Sequence, residues 1–406
     1  MLATADVVVV GAGIAGLCSA WELRQRGFDV VVVEQRFPGY GASGRHPGSI
    51  WLQTRRSGLE LELSRAGKAK YAELVTAIGN AFDYREAGGL MFFETEEQAE
   101  VIQDYVRDRQ SAGLDIQMIS RSEALNLAPI LPDTAIGAAY CADDAQIDSL
   151  TFMTAMDAAC MRAGVQIFRN TPVLSTLRDG DRVFGVRTVR GAVHSSGVLW
   201  ASGAWASTLR TEGIDLPVET TRVGQLMMQP VEPHPSPVLH GPRGMYGCGA
   251  VEDLAGFETA VFAAPAGDTA ELFYDDTIVL NQGGSLYVGH SIDGRGSLNP
   301  HISLEGTHAM VGLALERYHR YAHFGIRGLW AGLGCETPDQ LPIVDLVDGV
   351  YVNLGHSWGV SSAPLAGQVI AEVIAGEPSS FAARLSAKRA TLHPVLDQQT
   401  RSDAVV

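Results

Sequence analysis

The chain opens with a short mixed lead and then four consecutive valines, Val7–Val10, with no polar residue to mark a solvent face. Such a run predicts a strand buried on both sides, as in a parallel sheet. The turn Gly11-Ala12-Gly13-Ile14-Ala15-Gly16 follows. Next comes an amphipathic stretch, Leu17 to Arg26, that closes on Gly27 as helices commonly do. A second valine run, Val30–Val33, ends on Glu34. Residues 6–34 therefore read as one β-α-β unit.

Further along, residues 57–80 read as a helix, and 82–113 as strand, turn, strand and helix. Residues 128–148, rich in Pro and Asp, read as a loop. A helix from 149 leads into a strand ending near 170. Residues 171–206 alternate with period two around turn signals at Asp179-Gly180 and Arg190-Gly191, predicting a β-meander that returns to a buried strand through Trp200. Mostly β texture continues over 218–295. A helix is expected over 303–323, a strand at 349–355 and a last helix over 363–376. The opening unit needs more parallel strands, and the candidates lie at 163–205 and 350–355. The expected fold class is α/β. A Rossmann-like nucleotide-binding domain (FAD-binding, on the resemblance given below) built from 1–82, 149–217 and 330–385 receives an inserted, mostly antiparallel β substrate domain, 83–148 and 218–329.

With 46% hydrophobic residues among 406, the chain can bury large cores. Its net charge of −16 argues against nucleic acid or an anionic membrane as the main partner. The five cysteines, Cys18, Cys141, Cys160, Cys248 and Cys335, are scattered, with no CxxC pair. That fits a reducing compartment and supplies neither a zinc nor an iron–sulfur ligand set, so no metal is expected. No stretch reads as a signal peptide or a membrane span, and the expected location is cytoplasmic.

The glycine turn carries the first chemistry. Gly11 permits the tight turn, Gly13 lets the backbone approach a pyrophosphate and Gly16 allows close helix–strand packing. The helix N-terminus at Ile14 and Ala15 offers unpaired N–H groups to phosphate, and Glu34, with Gln35 beside it, stands where ribose hydroxyls are bound. This turn alone does not separate FAD from NAD. The segment Gly39-Tyr40-Gly41-Ala42-Ser43-Gly44-Arg45-His46-Pro47-Gly48-Ser49-Ile50-Trp51 does, because it makes a polar glycine loop ready to wrap a second, longer part of the ligand.

Together with segments downstream, this loop resembles the D-amino-acid oxidase superfamily of FAD-dependent oxidoreductases, in its glycine/sarcosine oxidase and D-amino-acid dehydrogenase branch. Members commonly carry Gly-Ala-Ser-Gly-Arg-Asn-x-Gly where this chain has Gly41 to Gly48. Residues 143–148, the meander beginning near Val173, the strand end with Ala201, Gly203 and Trp205, and the segments 337–345 and 355–367 are similar to the family's other pieces. The resemblance implies FAD as cofactor. The contacts it implies are Gly11, Gly13, Ile14, Ala15, Gly16, Glu34, Gln35, Ser43, Gly44, Arg45, His46, Gly48, Val173, Ala201, Gly203, Trp205, Gly332, Gly355, Trp358 and Gly359. It also implies oxidation of a C–N bond in a primary or secondary amine or amino acid, with oxygen or another electron acceptor. The compounds in view are a D-amino acid, an N-substituted glycine or an opine-like molecule.

The departures from the family pattern bear on substrate. Gly334 stands where an arginine often pairs with the substrate carboxylate. Either another cation takes over (Arg55, Arg56, Arg222, Arg243 or Arg327) or the substrate is not a simple α-amino acid, and Glu336 beside the gap favours an amine-bearing group. Tyr287 falls where some sarcosine oxidases place an oxygen-activating lysine. Cys335 and His46 each stand near positions that carry covalent flavin in some relatives. For His46 the favoured reading is a noncovalent contact, with covalent attachment and a structural loop role as alternatives. His46, His290, Tyr274 and His356 are the candidate catalytic residues, the last histidine and His290 because each ends an apparent strand. Rival readings are the flavin subunit of a heteromeric dehydrogenase that hands electrons to a partner, and a noncatalytic FAD-binding subunit. A homo-oligomer is also compatible with the sequence.

Overall fold

The computed structural model describes residues 1–246, 248–262 and 272–392. Two sheets organise it. In the first, the strand order is Ile343–Val347, Val350–Leu354, Gly191–Trp200, Ala3–Val10, Val30–Val33, Gln166–Phe168, with the hairpin Val173–Asp179 and Arg182–Thr188 hung on Gly191–Trp200. The pairings of Ala3–Val10 with Gly191–Trp200 and with Val30–Val33 are parallel, as are those of Gln166–Phe168 with Val30–Val33 and of Val350–Leu354 with Gly191–Trp200; Ile343–Val347 adds antiparallel to Val350–Leu354 at the edge. The expected parallel strands are therefore present.

The valine runs explain themselves in this sheet. Val7, Val9, Val30 and Val32 enter one buried cluster, with the helices, while Val8, Val10, Val31 and Val33 enter another on the opposite face. Alternation has no polar phase because neither face meets water. Helix Ile14–Gln25 packs against Ser149–Arg162 and Gly359–Ala375, and the latter also carries Leu59–Ile78. The last helix starts at Gly359, four residues before the sequence suggested, and contains Pro364. The carbonyl that Pro364 cannot bond, that of Val360, accepts the Tyr71 hydroxyl at 2.6 Å instead.

The second sheet runs Ile326–Glu336, Glu219–Pro230, Ser285–Asp293, Ile278–Leu280, Val238–His240, Gly89–Phe93, Gly137–Cys141, Ile116–Ser120, with Phe273–Tyr274 also on Ser285–Asp293. It is antiparallel except where Val238–His240 meets Gly89–Phe93. Three expectations change here. Ile326–Glu336 pairs along its length with Glu219–Pro230, so residues 330–336 belong to this sheet and not to the first. Gly137–Cys141, expected as loop, is an interior strand paired antiparallel with Gly89–Phe93 on one side and Ile116–Ser120 on the other. Within 218–295, short helices occupy Pro242–Tyr246, Gly249–Glu252 and Thr259–Phe262. No helix among the described residues is long and apolar enough to cross a membrane.

Candidate active site

A single cavity of about 760 Å³ extends from the ends of the parallel strands, at Val10 and Val33, to the second sheet at Val223, Gln225 and His290. Its size is that of a site for a large organic ligand. At one end the backbone does the shaping. A Cβ on Gly16 would lie 1.9 Å from the Gly11 carbonyl oxygen, and one on Gly11 (φ +108°) 2.5 Å from that of Ala201, so this turn closes only with glycine. Glu34 accepts the Ala12 N–H on one carboxylate oxygen and the Arg36 N–H on the other, both at 2.8 Å. Each oxygen keeps a lone pair for a ligand hydroxyl. Burial pushes the Glu34 carboxyl up, and three backbone N–H groups oppose that shift.

The loop 39–51 closes over the same end. Ser43 Oγ accepts the Ile14 N–H at 3.0 Å, tying the loop to the first turn of the helix. Arg45 donates to the Ala331 carbonyl at 2.7 Å and lies 5.0 Å over the Tyr40 ring, while Trp330 Nε1 donates to the Arg45 carbonyl at 3.1 Å. His46 faces the cavity with Nδ1 accepting the Gly48 N–H at 2.9 Å. Desolvation, with the His290 and Arg55 charges, pulls its pKa down to about 4. The ring is neutral, and the proton sits on Nε2.

The far end is built from side chains. Arg55, 3% exposed, donates Nε to the Trp51 carbonyl at 3.0 Å and stacks 3.5 Å from the Trp358 ring centroid. Its Nη1 has no hydrogen bond and lies 3.7 Å from Glu60. Burial pulls its pKa down to about 10, still far above neutrality. His290 Nδ1 lies 3.0 Å from Asp275 Oδ2, and that carboxylate also accepts the Thr277 hydroxyl at 2.7 Å and the His290 backbone N–H at 3.0 Å. The ion pair raises the His290 pKa despite its burial and holds Asp275 well below the usual carboxylate range. His240 touches the same group, its Nδ1 2.7 Å from Thr277 Oγ1, and stacks on Trp51 with ring centroids 4.6 Å apart.

Most of the sequence-derived candidates meet on this one wall: Gly11, Gly13, Ile14, Ala15, Glu34, Gln35, Ser43, Arg45, His46, Val173, Ala201, Gly203, Trp205, His290, Gly332, Gly355, His356, Trp358 and Gly359. Gly16, Gly44 and Gly48 stand behind it, as close-packing positions. Added Cβ atoms there would meet the carbonyls of Gly11, Gly39 and Ile147 at 1.9, 2.9 and 2.0 Å. Tyr274 is off the wall: in its two-residue strand Phe273 lines the cavity, as does Asp275 just beyond it, while Tyr274 turns away to stack on Arg243 at 3.8 Å. His356 is on the wall but has no ring nitrogen to spare. Nε2 is 2.8 Å from Asn353 Oδ1 and Nδ1 is 3.2 Å from Ser362 Oγ. Through Asn353 and Ser19 this network reaches the carbonyl of Ala15, so His356 braces the glycine-turn helix.

Among the proposed replacement cations, Arg55 alone lines the cavity. Arg56 pairs with Asp253, Arg222 with Asp293, and Arg327 donates to Ser285. Gly334 does line it, and Glu336 beside it accepts the Thr221 hydroxyl. Tyr287 packs against Trp330 and does not line the cavity. Cys335 lines it as a thiol, its pKa pushed up to about 12 by burial. Asp275, Thr277, His240 and Gln225 escaped the sequence reading, and Trp51 was read only as the end of the loop 39–51. One signal was there for His240, which ends an apolar strand, Val238-Leu239-His240; His290, expected to end one, lies inside Ser285–Asp293 instead.

Buried polar atoms without a partner cluster on this wall: Ser149 Oγ, Trp200 Nε1, Ser202 Oγ, Thr54 Oγ1, Gln225 Oε1 and Ser357 Oγ. Buried polar groups left unpaired are costly, so this mixed set of donors and acceptors fits a long polar ligand that spans both ends, as FAD does. The profile of the FAD-dependent oxidoreductase family, DAO, matches residues 6–373. Glycine oxidase from Geobacillus kaustophilus superposes with a TM-score of 0.81 at 22% identity, over 96% of this chain and 99% of that one. L-proline dehydrogenase from P. horikoshii gives 0.78 at 20% over 95% and 98%, and iminodiacetate oxidase from Chelativorans sp. BNC1 gives 0.74 at 19% over 94% and 98%. With the glycine turn, the loop 39–51 and the cavity between the two sheets, these findings place the chain in the DAO family of FAD-dependent oxidoreductases, with FAD as its cofactor.

Proposed function

We propose that the chain oxidises the C–N bond of a primary or secondary amine that also carries a carboxylate. Bound FAD supplies the two-electron acceptor for the hydride of the C–H next to nitrogen, and the resulting imine hydrolyses in water. The nucleotide part would be held by the turn 11–16, Glu34, Ser43 and Val173. Arg45, His46, Gly332, Gly355, Trp358 and Gly359 would flank the ring, with noncovalent attachment favoured. His46 Nδ1 is already engaged by Gly48, and Cys335 is a thiol where a thiolate is the reactive form.

The observation that carries this reading is Arg55, a buried guanidinium that lines the same cavity as His290 and donates through Nε to the Trp51 carbonyl. A desolvated carboxylate requires such a partner, and Gly334 cannot supply one. Cations at Arg55 and His290 also disfavour a substrate ammonium, which keeps the amine neutral and its lone pair available. Arg45, Arg55 and His290 on one cavity weigh against a noncatalytic subunit. The domain division proposed with it assigns the first sheet and its helices to FAD and the second sheet, with Ile326–Glu336, to substrate.

Anaerobic mixing with a panel of amines and amino acids tests the reading. The flavin absorbance should bleach with amino acids and not with the matching amines that lack a carboxylate. Bleaching by none of them would sink it. The rate of re-oxidation in air then separates oxidase from dehydrogenase.

A further inference from the structure

We propose that Asp275 sets two histidines in opposite roles, His290 as hydrogen-bond donor and His240 as acceptor, so that the pocket selects substrates bearing both a carboxylate and an N–H. This rests on the amino-acid reading above and deepens it.

Proton counting fixes the roles. Asp275 Oδ1 faces the backbone N–H groups of His290 at 3.0 Å and Thr277 at 3.3 Å. Oδ2 takes the Thr277 hydroxyl at 2.7 Å and His290 Nδ1 at 3.0 Å. A carboxylate with only acceptor sites spends the single Thr277 proton, so Thr277 Oγ1 can only accept from His240. The His240 proton is therefore on Nδ1. Burial holds this ring neutral, its pKa down to about 4, and leaves Nε2 as a bare lone pair. The stack on Trp51 and the contact of its Nδ1 edge with Gly244 hold the ring plane. His290 has the opposite setting: its Nδ1–H is spent on Asp275, and the charge that Asp275 favours leaves Nε2–H as a donor. Both rings border the cavity, with Gln225 and Arg55 on the same wall. A carboxylate suits Arg55 and His290, and an amine N–H suits His240. Asp275 and Thr277 act through the rings and are positioning residues. A tertiary amine offers no proton to His240 and would be rejected.

Two rigid probes separate this from a generic anion site: pyrrole-2-carboxylate, with a ring N–H, and 2-furoate, the same shape with an acceptor oxygen. Each is titrated into the oxidised holoenzyme and followed by flavin absorbance, without turnover. Pyrrole-2-carboxylate should bind about tenfold more tightly, the worth of one hydrogen bond to an otherwise unpaired buried acceptor. Thr277→Val frees the His240 tautomer and should bring the two affinities within about twofold, and Thr277→Ser should restore the preference. His240→Phe keeps the stack on Trp51 and should abolish the preference even if Thr277→Val does not fold. Equal affinities in the wild type, no binding of either probe, or a preference that survives His240→Phe would overturn the proposal. Bleaching by amino acids is scored separately, so this selection can fail while the oxidation reading stands.

Discussion

The two ends of the cavity are built by different means. At the glycine turn the wall is backbone: N–H groups at a helix start, carbonyls in van der Waals contact, and one carboxylate holding two amides. At the second sheet it is side chains: two histidines from separate strands, a carboxylate from the segment between two strands, and the Arg55 guanidinium reaching in from the loop after Ile50. A backbone wall suits what every FAD has in common, and at Gly11 and Gly16 it leaves no room for a Cβ. A side-chain wall can be re-specified one residue at a time: on the reading proposed above, Arg55 supplies the cation that Gly334 cannot.

The harshest test of the backbone wall is Gly16→Val. Its Cβ would sit 1.9 Å from the Gly11 carbonyl, a clash no rotamer relieves, so the turn must open. Purified protein should carry no flavin, or should not fold, as read by visible absorbance and circular dichroism. Full flavin content in this variant would mean that the two ends are not built differently.

Arg55→Met addresses the other wall. It keeps an unbranched apolar side chain but removes the guanidinium and its charge from over Trp358, leaving a carboxylate ligand unpaired and Glu60 without its cation 3.7 Å away. Truncating one partner of a buried ion pair costs about 3 to 4 kcal/mol, on the order of 10²- to 10³-fold in kcat/KM. Steady-state kinetics should show that loss with flavin content unchanged. Flavin loss in step with activity would erase the division of labour.

These expectations differ in how much of them a bare sequence carries. Gly11, Gly13, Gly16, Glu34 and Ser43 lie within 33 residues of one another, and their spacing is set by one turn, one helix and one strand. Local geometry is written in local sequence. Asp275, Thr277, His240 and His290 meet only because Val238–His240, Ile278–Leu280 and Ser285–Asp293 are neighbours in a sheet whose strand order no local pattern encodes. Tyr274 shows the same limit at one residue's scale. Its strand was foreseeable, but which phase faces the cavity depends on pairing with Ser291, and the chemistry passed to Asp275 next door. The strand Gly137–Cys141 was hidden because its small residues look like loop until something packs on them.

Ser43→Ala probes the seam between loop and helix. It removes the acceptor of the Ile14 N–H without disturbing the glycines. A lost hydrogen bond at a half-buried site costs about 1 to 1.5 kcal/mol, so FAD should dissociate about tenfold more readily, with kcat unchanged at saturating FAD. Equilibrium dialysis of the cofactor measures the first and kinetics with added FAD the second. A drop in kcat would assign Ser43 to the chemistry instead of the cradle.

The smallest expected effect at neutral pH is that of His356→Gln, which also decides whether this residue belongs to the cradle or to the catalytic wall. Glutamine can keep one bond of the Asn353–Ser362 bridge, so the loss in stability should be only about 1 kcal/mol at pH 7.5. Its pH dependence is the sharper readout. The folded-state pKa of His356 is pulled down to about 4 by burial, against an ordinary value of 6.5. Between those values the unfolded chain binds a proton that the folded chain refuses. The His356 contribution is therefore complete above pH 6.5 and is lost as pH falls toward 4, with a slope of up to about 1.4 kcal/mol per unit. Glutamine does not titrate. In paired melts the wild type's advantage should thus narrow below pH 6.5 and then invert, while kcat at saturating FAD stays within about twofold of wild type. A collapse of kcat with no change in the melting difference would move His356 from the brace of the glycine-turn helix to the reacting wall.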